Sequence, residues 1–154
     1  MKTLKQIINN KTLHFNFVAP DTKVIDAIAL MKIEDMSFVI VMEEQNYLGI
    51  FSERDYAHKV ILQNRNSSET FVKEIMTVDL PIVTSEDSFD KCMEIMNTFK
   101  VRYLPMFEGH VFKGIITIND LLEATIEEKK TPEKEENYLK NSAGTSNSIG
   151  HYEN

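Results

Sequence analysis

Residues 49–55 read Gly-Ile-Phe-Ser-Glu-Arg-Asp, and 65 positions later residues 114–120 read Gly-Ile-Ile-Thr-Ile-Asn-Asp. The same offset aligns Phe38 with Tyr103 without a gap. Self-similarity at a fixed period indicates two copies of one supersecondary unit. The predicted divisions are a first repeat at 1–65, a second repeat at 66–128 and a tail at 129–154.

Each repeat contains a predicted helix followed by a hairpin. Apolar residues recur at i, i+3, i+4 and i+7 from Val24 and again from Phe89, which is typical of an amphipathic helix. Runs rich in β-branched and aromatic residues follow, and they predict strand pairs within 38–51 and 103–116. The predicted helix caps are Asp21 or Thr22 in the first repeat and Asp87 or Ser88 in the second.

Two further elements complete each predicted unit. A short first strand is expected near residues 15–18 and near residues 82–83, and a second helix is expected from Ser52 and from Thr117. The predicted fold class is α+β, with tandem β-α-β-β-α repeats. Two such units are expected to pack sheet to sheet as a pseudo-twofold pair.

Composition excludes several classes of function. The formal net charge is -7 and the isoelectric point is about 5.1, which disfavours nucleic acid and anionic membrane surfaces as partners. The single Cys92 cannot form an internal disulfide, and the four histidines lack metal-ligand spacing, so no metal site is predicted. The start of the chain lacks a signal-peptide pattern, and no stretch has the length of a membrane span. We therefore expect a soluble, cytoplasmic protein.

The tail differs in composition from the repeats. Residues 129–136 form a charge run interrupted by a proline, and residues 141–148 are rich in Gly, Ser and Asn. Such segments have little apolar surface to bury. The sequence therefore predicts that residues 129–154 are disordered.

In each copy of the repeated heptapeptide, Asp follows a hydroxyl residue by three positions: Ser52 and Asp55, then Thr117 and Asp120. In one interpretation, the hydroxyl caps the following helix and the carboxylate offsets the positive helix terminus. In the other, the helix terminus binds a phosphate, the carboxylate accepts hydrogen bonds from a ribose diol, and the glycine lets the backbone approach a ligand. The motif alone leaves both interpretations open.

Four stretches, at 18–24, 49–57, 74–77 and 101–105, together resemble the CBS domain pair, or Bateman module. The similarity is greatest to stand-alone two-repeat proteins and covers about residues 1–128. The resemblance implies a compact pair of repeats that often forms a homodimer. It also implies a regulatory ligand between the repeats, with AMP first among AMP, ADP, ATP, NADH and S-adenosylmethionine, and no required cofactor.

The resemblance also assigns residues to two clefts. The first is expected to contain Ser52, Arg54, Asp55, Thr77, Pro81, Ile82, Val101, Arg102 and Tyr103. The second is expected to contain Asn16, Phe17, Met36, Ser37, Phe38, Thr117, Asn119 and Asp120. The aspartates would hold ribose, and Ser52 and Thr117 would contact phosphate or ribose. Phe17, Ile82, Phe38 and Tyr103 would surround adenine.

The two clefts differ in charge. Arg102 corresponds to Ser37 and Arg54 corresponds to Asn119, so the first cleft is expected to prefer a more phosphorylated ligand. His58 stands where relatives often carry arginine, so a phosphate contact there is expected to be lost or pH-dependent.

Three classes of function compete. The favoured hypothesis is a regulatory module that binds an adenosine-type nucleotide and signals to a target protein whose identity the sequence does not give. The alternative is a protein-interaction or dimerisation module whose hydroxyl and aspartate residues only cap helices. Catalysis is not predicted, because neither a nucleophile with a base nor a Gly-rich phosphate loop of the Walker type is found in the sequence.

Overall fold

A computed structural model describes residues 2–10 and 16–143, in two compact units, Met1–Thr117 and Ile118–Asn154. The helices of the first unit are α1 (Lys5–Asn10), α2 (Val24–Glu34), α3 (Glu53–Asp55), a π-helical segment (Tyr56–Ile61), α4 (Val72–Ile75) and α5 (Phe89–Phe99). Its strands are β1 (Phe17–Val18), β2 (Phe38–Glu43), β3 (Asn46–Ser52), β4 (Tyr103–Glu108) and β5 (Val111–Thr117). The second unit contains α6 (Ile118–Ala143). None of the described helices is long and apolar enough to span a membrane.

Both predicted hairpins are confirmed, and their registers match. In the first sheet β1 runs parallel to β2, and β2 runs antiparallel to β3; in the second sheet β4 and β5 are antiparallel. Val41 pairs with Gly49, and Met106 pairs with Gly114 at the equivalent place. Each hairpin has its register shift directly after that pair. The 65-residue period therefore extends to the hydrogen-bonding pattern.

The first strands of the two repeats are less alike. Residues 17–18 form β1, while the rest of the predicted strand begins at Phe15, outside the described residues. In the second repeat, the strand predicted at 82–83 is reduced to one parallel bridge between Val83 and Met106. Thr84 donates its amide to the Asp87 carboxylate at 2.8 Å, so the chain turns at once. Pro81, just before, has no amide to extend the ladder.

Equivalent residues of the two repeats touch each other, as expected at a pseudo-twofold axis. The rings of Phe38 and Tyr103 lie 4.5 Å apart, and those of Tyr47 and Phe112 stack at 4.9 Å. Both pairs have the sequence offset of 65. Phe38 also belongs to a core cluster with Ile40, Ile50 and Ile115, which joins the two sheets. The predicted pseudo-twofold pair is therefore confirmed.

The helices α2 and α5 end alike but begin differently. Each is followed by a residue in the left-handed conformation, Asp35 with φ 52° and Lys100 with φ 55°. Ser88 caps α5 by accepting the Lys91 amide, as predicted. The cap predicted at Asp21 or Thr22 is wrong, because α2 begins after Lys23. The Val24 amide bonds instead to the Thr70 carbonyl at 2.9 Å. Backbone from residues 66–80, the first part of the second repeat and called the linker below, therefore replaces a side-chain cap.

Each repeat is completed by a segment that precedes the other. The Leu4 amide donates to the Asp87 carbonyl at 3.0 Å, and Phe89 donates to the Lys2 carbonyl at 3.0 Å. In the same way, Lys23 bridges Phe71 ahead of α2. The predicted boundaries at 65 and 128 therefore separate the two copies of the sequence repeat. The backbone hydrogen bonds that complete each copy come from the segment that precedes the other copy.

The second unit differs from the disorder predicted for residues 129–154. Helix α6 continues to Ala143, and residues 144–154 lie outside the described part of the chain. Glu and Lys dominate residues 127–136, and both are good helix formers. Composition predicted that this segment buries little; it did not predict that local propensity continues the helix.

Candidate functional site

The end of β3 forms a reciprocal cap with α3. The Ser52 hydroxyl accepts the Asp55 amide at 3.1 Å, and Asp55 Oδ2 accepts the Ser52 amide at 3.0 Å and the Ser52 hydroxyl at 3.1 Å. Both residues are buried. The capping interpretation of this motif is therefore confirmed in the first repeat, and a ligand-binding role would be additional to it.

The other oxygen of Asp55 joins the two repeats. Asp55 Oδ1 accepts the Thr77 hydroxyl at 2.8 Å and lies 2.9 Å from Lys59 Nζ. The Lys59 ammonium also donates to Thr77 Oγ1 at 3.1 Å and to the Ile75 carbonyl at 3.2 Å. A network of charge-assisted hydrogen bonds therefore ties the π-helical segment to the linker, which is the first part of the second repeat.

Gly49 allows this linker to approach β3. Ile50 and Thr77 exchange two backbone hydrogen bonds, of 3.0 and 2.8 Å. A Cβ atom on Gly49 would lie 2.6 Å from the Thr77 carbonyl oxygen, closer than real Cβ contacts. The motif in the sequence suggested that this glycine admits a ligand. In the structure it admits the Thr77 backbone and the Met76 side chain, and the Thr77 hydroxyl reaches Asp55.

A cavity of about 330 Å³ opens at this network. It contains six of the nine residues expected in the first cleft: Ser52, Arg54, Asp55, Thr77, Val101 and Tyr103. The three others are all in the described part of the chain but outside the lining: Pro81, Ile82, which is 55% exposed, and Arg102, which is exposed. Residues from both repeats therefore meet at this cavity, and Arg102 stays a prediction for the cleft.

Five lining residues were not assigned to the cleft from the sequence: His58, Lys59, Asp79, Leu80 and Phe99. Two of them had a signal, because His58 and Lys59 follow Asp55 by three and four residues and so share its helix face. Leu80 and Phe99 had none, because only the folded chain brings the linker and the end of α5 to this cavity. The cavity wall therefore carries the cationic side chains Arg54 and Lys59, with His58 beside them.

Tyr103 is the lining residue that β4 contributes. Burial raises the pKa of its phenol, and the Asp55 carboxylate raises it further, against the opposing effects of a hydrogen bond with Ser52 and the charge of Arg54. The phenol therefore stays protonated and can donate. Arg54 is oriented by a hydrogen bond of 3.1 Å from its guanidinium to the Lys100 carbonyl, at the left-handed end of α5.

The residues expected in the second cleft are distributed over both units. Phe17 is 61% exposed on β1, while Phe38 is buried in the core between the sheets. The Asn16 carbonyl accepts the Ile40 amide, at 3.0 Å, beside Phe17. Met36 and Ser37 line another cavity of the first unit, of about 680 Å³, beside α2 and α3. Thr117 ends β5, whereas Asn119 and the buried Asp120 belong to α6, so this cleft stays a prediction.

Comparison with known proteins identifies the repeats. The family model described as CBS domain matches twice, at residues 5–61 and 72–127. The CBS domain-containing protein CBSX3, mitochondrial, of Arabidopsis thaliana is 32% identical over 115 residues, which cover 71% of this chain and 56% of the relative. The chain thus spans about half the length of the first curated relatives it matches.

Solved structures show the same architecture. A CBS-domain protein from Burkholderia ambifaria is 36% identical with a TM-score of 0.75, covering 82% of this chain and 95% of the other. CBSX2, solved in complex with AMP, is 19% identical with a TM-score of 0.70, covering 84% and 99%, and shows the fold alone. The two matches of the family model, each of which contains one of the paired hairpins, show that this chain belongs to the CBS-domain family.

Proposed function

We propose that this chain is a regulatory module that binds an adenosine-type nucleotide in the 330 Å³ cavity between its repeats. The observation that carries the proposal is the composition of the cavity wall. A buried carboxylate and a guanidinium from α3, an ammonium from the π-helical segment and an aromatic ring from β4 converge there. Four apolar or aromatic residues, Leu80, Phe99, Val101 and Tyr103, lie beside these polar groups, as a ligand with both an aromatic and an anionic part requires.

The wall offers a partner for each part of a nucleotide. Asp55 and Thr77 would take the ribose hydroxyls, and Arg54 with its neighbours would take the phosphate. Val101, Tyr103, Leu80 and Phe99 would cover the base. The volume lies near the lower end of ligand pockets, roughly 300–1,000 Å³. It therefore favours a mononucleotide such as AMP over a dinucleotide such as NADH, and the AMP bound to CBSX2 supports this choice.

The proposed mechanism is differential affinity. A nucleotide that contacts both repeats favours one packing of the pair, and a target protein reads that packing. We include a homodimer and a cytoplasmic location in the proposal, both from the family resemblance and the acidic composition. No catalytic step is proposed for the cavity, because its groups suit binding rather than a nucleophile with its base.

One observation favours the alternative, a protein-interaction or dimerisation module without a nucleotide. Asp55 already accepts four contacts, from the Ser52 amide, the Ser52 hydroxyl, Thr77 and Lys59. A carboxylate has about four lone-pair sites, so its role is complete without a ligand. Nucleotide binding therefore requires this hydrogen-bond network to rearrange, whereas an interaction module leaves it unchanged.

Thermal unfolding with and without ligand distinguishes them. The protein would be heated with AMP, ADP, ATP, NADH, S-adenosylmethionine or GTP, and each variant compared with its own ligand-free midpoint. A ligand at 100 times its dissociation constant stabilises by roughly 2.7 kcal/mol, which is a shift of several degrees. We expect AMP to raise the midpoint of the wild type and of an Asp87→Asn control, but not of Asp55→Ala. No shift with any adenosine compound would favour the interaction module, and Asp120→Ala would show whether the second cleft contributes.

A further inference from the structure

We propose that Lys59 is a specificity-determining residue, which makes binding in this cavity depend on a phosphate group in the ligand. The inference rests on the proposed function and deepens it. Lys59 lies in the π-helical segment, four residues after Asp55, and it lines the cavity. Its ammonium bonds to Asp55, Thr77 and the Ile75 carbonyl, at 2.9, 3.1 and 3.2 Å. An ammonium has three donor protons, so these three acceptors satisfy it.

A ribose that binds Asp55 must replace one of the donors already there. The Ser52 amide is fixed by the end of β3, and the Ser52 hydroxyl is buried within the cap. Thr77 is held by two backbone hydrogen bonds to Ile50. Lys59 is the donor that can leave, because its side chain is 42% exposed, against 8% for Asp55, and has a flexible four-carbon stem.

The released ammonium then needs a new anionic partner. A nucleoside offers none, so its binding loses the ion pair between Lys59 and Asp55. A nucleoside phosphate supplies one within the same cavity, where Arg54 and His58 also line the wall. The ion pair is thereby exchanged rather than lost, since a phosphate accepts charge-assisted hydrogen bonds. Lys59 would therefore raise the preference of the cavity for nucleotides over nucleosides.

The chain provides a matched control for this lysine. Lys91, in the first turn of α5, pairs with Asp87 just before that helix at 2.6 Å, also four residues apart. Neither residue lines the described cavity. Removing the Lys91 charge therefore repeats the loss of an ion pair and of one positive charge, without touching the proposed site.

The test is titration calorimetry of adenosine and of AMP against wild type, Lys59→Met and Lys91→Met. In Lys59→Met we expect adenosine to bind more tightly, because its competitor for Asp55 is lost. AMP loses that competitor and a charged hydrogen bond together, so its affinity should change less, and the preference for AMP over adenosine should fall by roughly tenfold. Lys59→Arg should restore the preference for AMP, and Lys91→Met should match the wild type.

A merely structural role for Lys59 would weaken both ligands together, and that result, or an unchanged ratio of the two affinities, would overturn the inference while leaving the proposed function intact. If neither ligand binds the wild type, both proposals are wrong. Should Lys59→Met fail to fold, Lys59→Gln keeps a donor at Asp55 without the charge. It is expected to reduce the preference for AMP in the same direction.

Discussion

The two copies of the repeated heptapeptide have the same beginning and different continuations. In the first repeat, β3 leads into the three-residue helix α3 and then into the π-helical segment Tyr56–Ile61. In the second, β5 leads into α6, which continues for 26 residues. Asp55 and Asp120 are equally buried, with 6% of each residue exposed. The shared motif therefore determines a strand, a turn into a helix and a buried carboxylate, and no more than that.

The side chains that follow the two aspartates carry opposite net charges. Arg54, His58 and Lys59 of the first copy correspond, at the offset of 65, to Asn119, Glu123 and Ala124 of the second. The first set carries two permanent positive charges and a titratable imidazole, and the second carries one negative charge. The same backbone signal can thus serve two ligand chemistries, or a ligand in one repeat and a cap in the other.

The largest effect on AMP binding is expected when three residues of the first copy are replaced by their equivalents in the second. We expect the triple substitution Arg54→Asn, His58→Glu and Lys59→Ala to weaken AMP binding by roughly 100-fold or more, since each lost charged hydrogen bond is worth about 1.5–3 kcal/mol and the losses overlap. Titration calorimetry measures the effect.

A control with the same change in net charge isolates position from charge. Lys23→Ala, Lys73→Ala and Lys113→Ala make the same change of three units in net charge, at exposed residues outside this cavity's lining in the described chain. We expect that triple variant to bind AMP within a few-fold of the wild type. Equal weakening in both variants would show that the overall charge, rather than the cavity wall, attracts the nucleotide.

The next effect concerns the close approach at Gly49. We expect Gly49→Ala to lower the free energy of unfolding by about 2–3 kcal/mol, because its Cβ would overlap the Thr77 carbonyl and separate the linker from β3. Urea denaturation measures it, with Gly109→Asn as the control, since Gly109 has φ 59° and open space around its Cβ position. A near-neutral Gly49→Ala would show that the linker is free to shift, and would weaken the case that Gly49 positions the Thr77 hydroxyl on Asp55.

The smallest expected effect on stability concerns the turns of the two hairpins. Their turns place Glu44 and Gly109 at equivalent positions, both left-handed, with φ 55° and 59°. A residue with a Cβ is strained there and glycine is not, so Glu44→Gly should stabilise the protein by about 0.5 kcal/mol after the entropy of the unfolded chain is included. Thermal unfolding would detect a rise of one or two degrees, and a fall would mean that the turns are not energetically equivalent.

Two kinds of local signal led from the sequence to residues that line the cavity. The hydroxyl and Asp three residues apart predicted the cap at Ser52 and Asp55, and the period related Tyr103 to Phe38. His58 and Lys59 were within reach of the same reasoning, since they follow Asp55 on one helix face. Arg102 illustrates the limit: its charge suggested a phosphate contact, but its exposed side chain lies outside the cavity lining in the described chain.

The order of residues along the chain was enough to predict the two repeats, their hairpins and the pseudo-twofold pair, because a fixed period and runs of β-branched and aromatic residues can be read directly from it. The packing of the folded chain brings the linker against Gly49 and lets the Lys59 ammonium bond to both Asp55 and Thr77. The contact of Asp55 with Thr77 joins residues 22 positions apart. Such contacts depend on how two sheets and a linker pack, and a residue's local sequence carries no record of that packing.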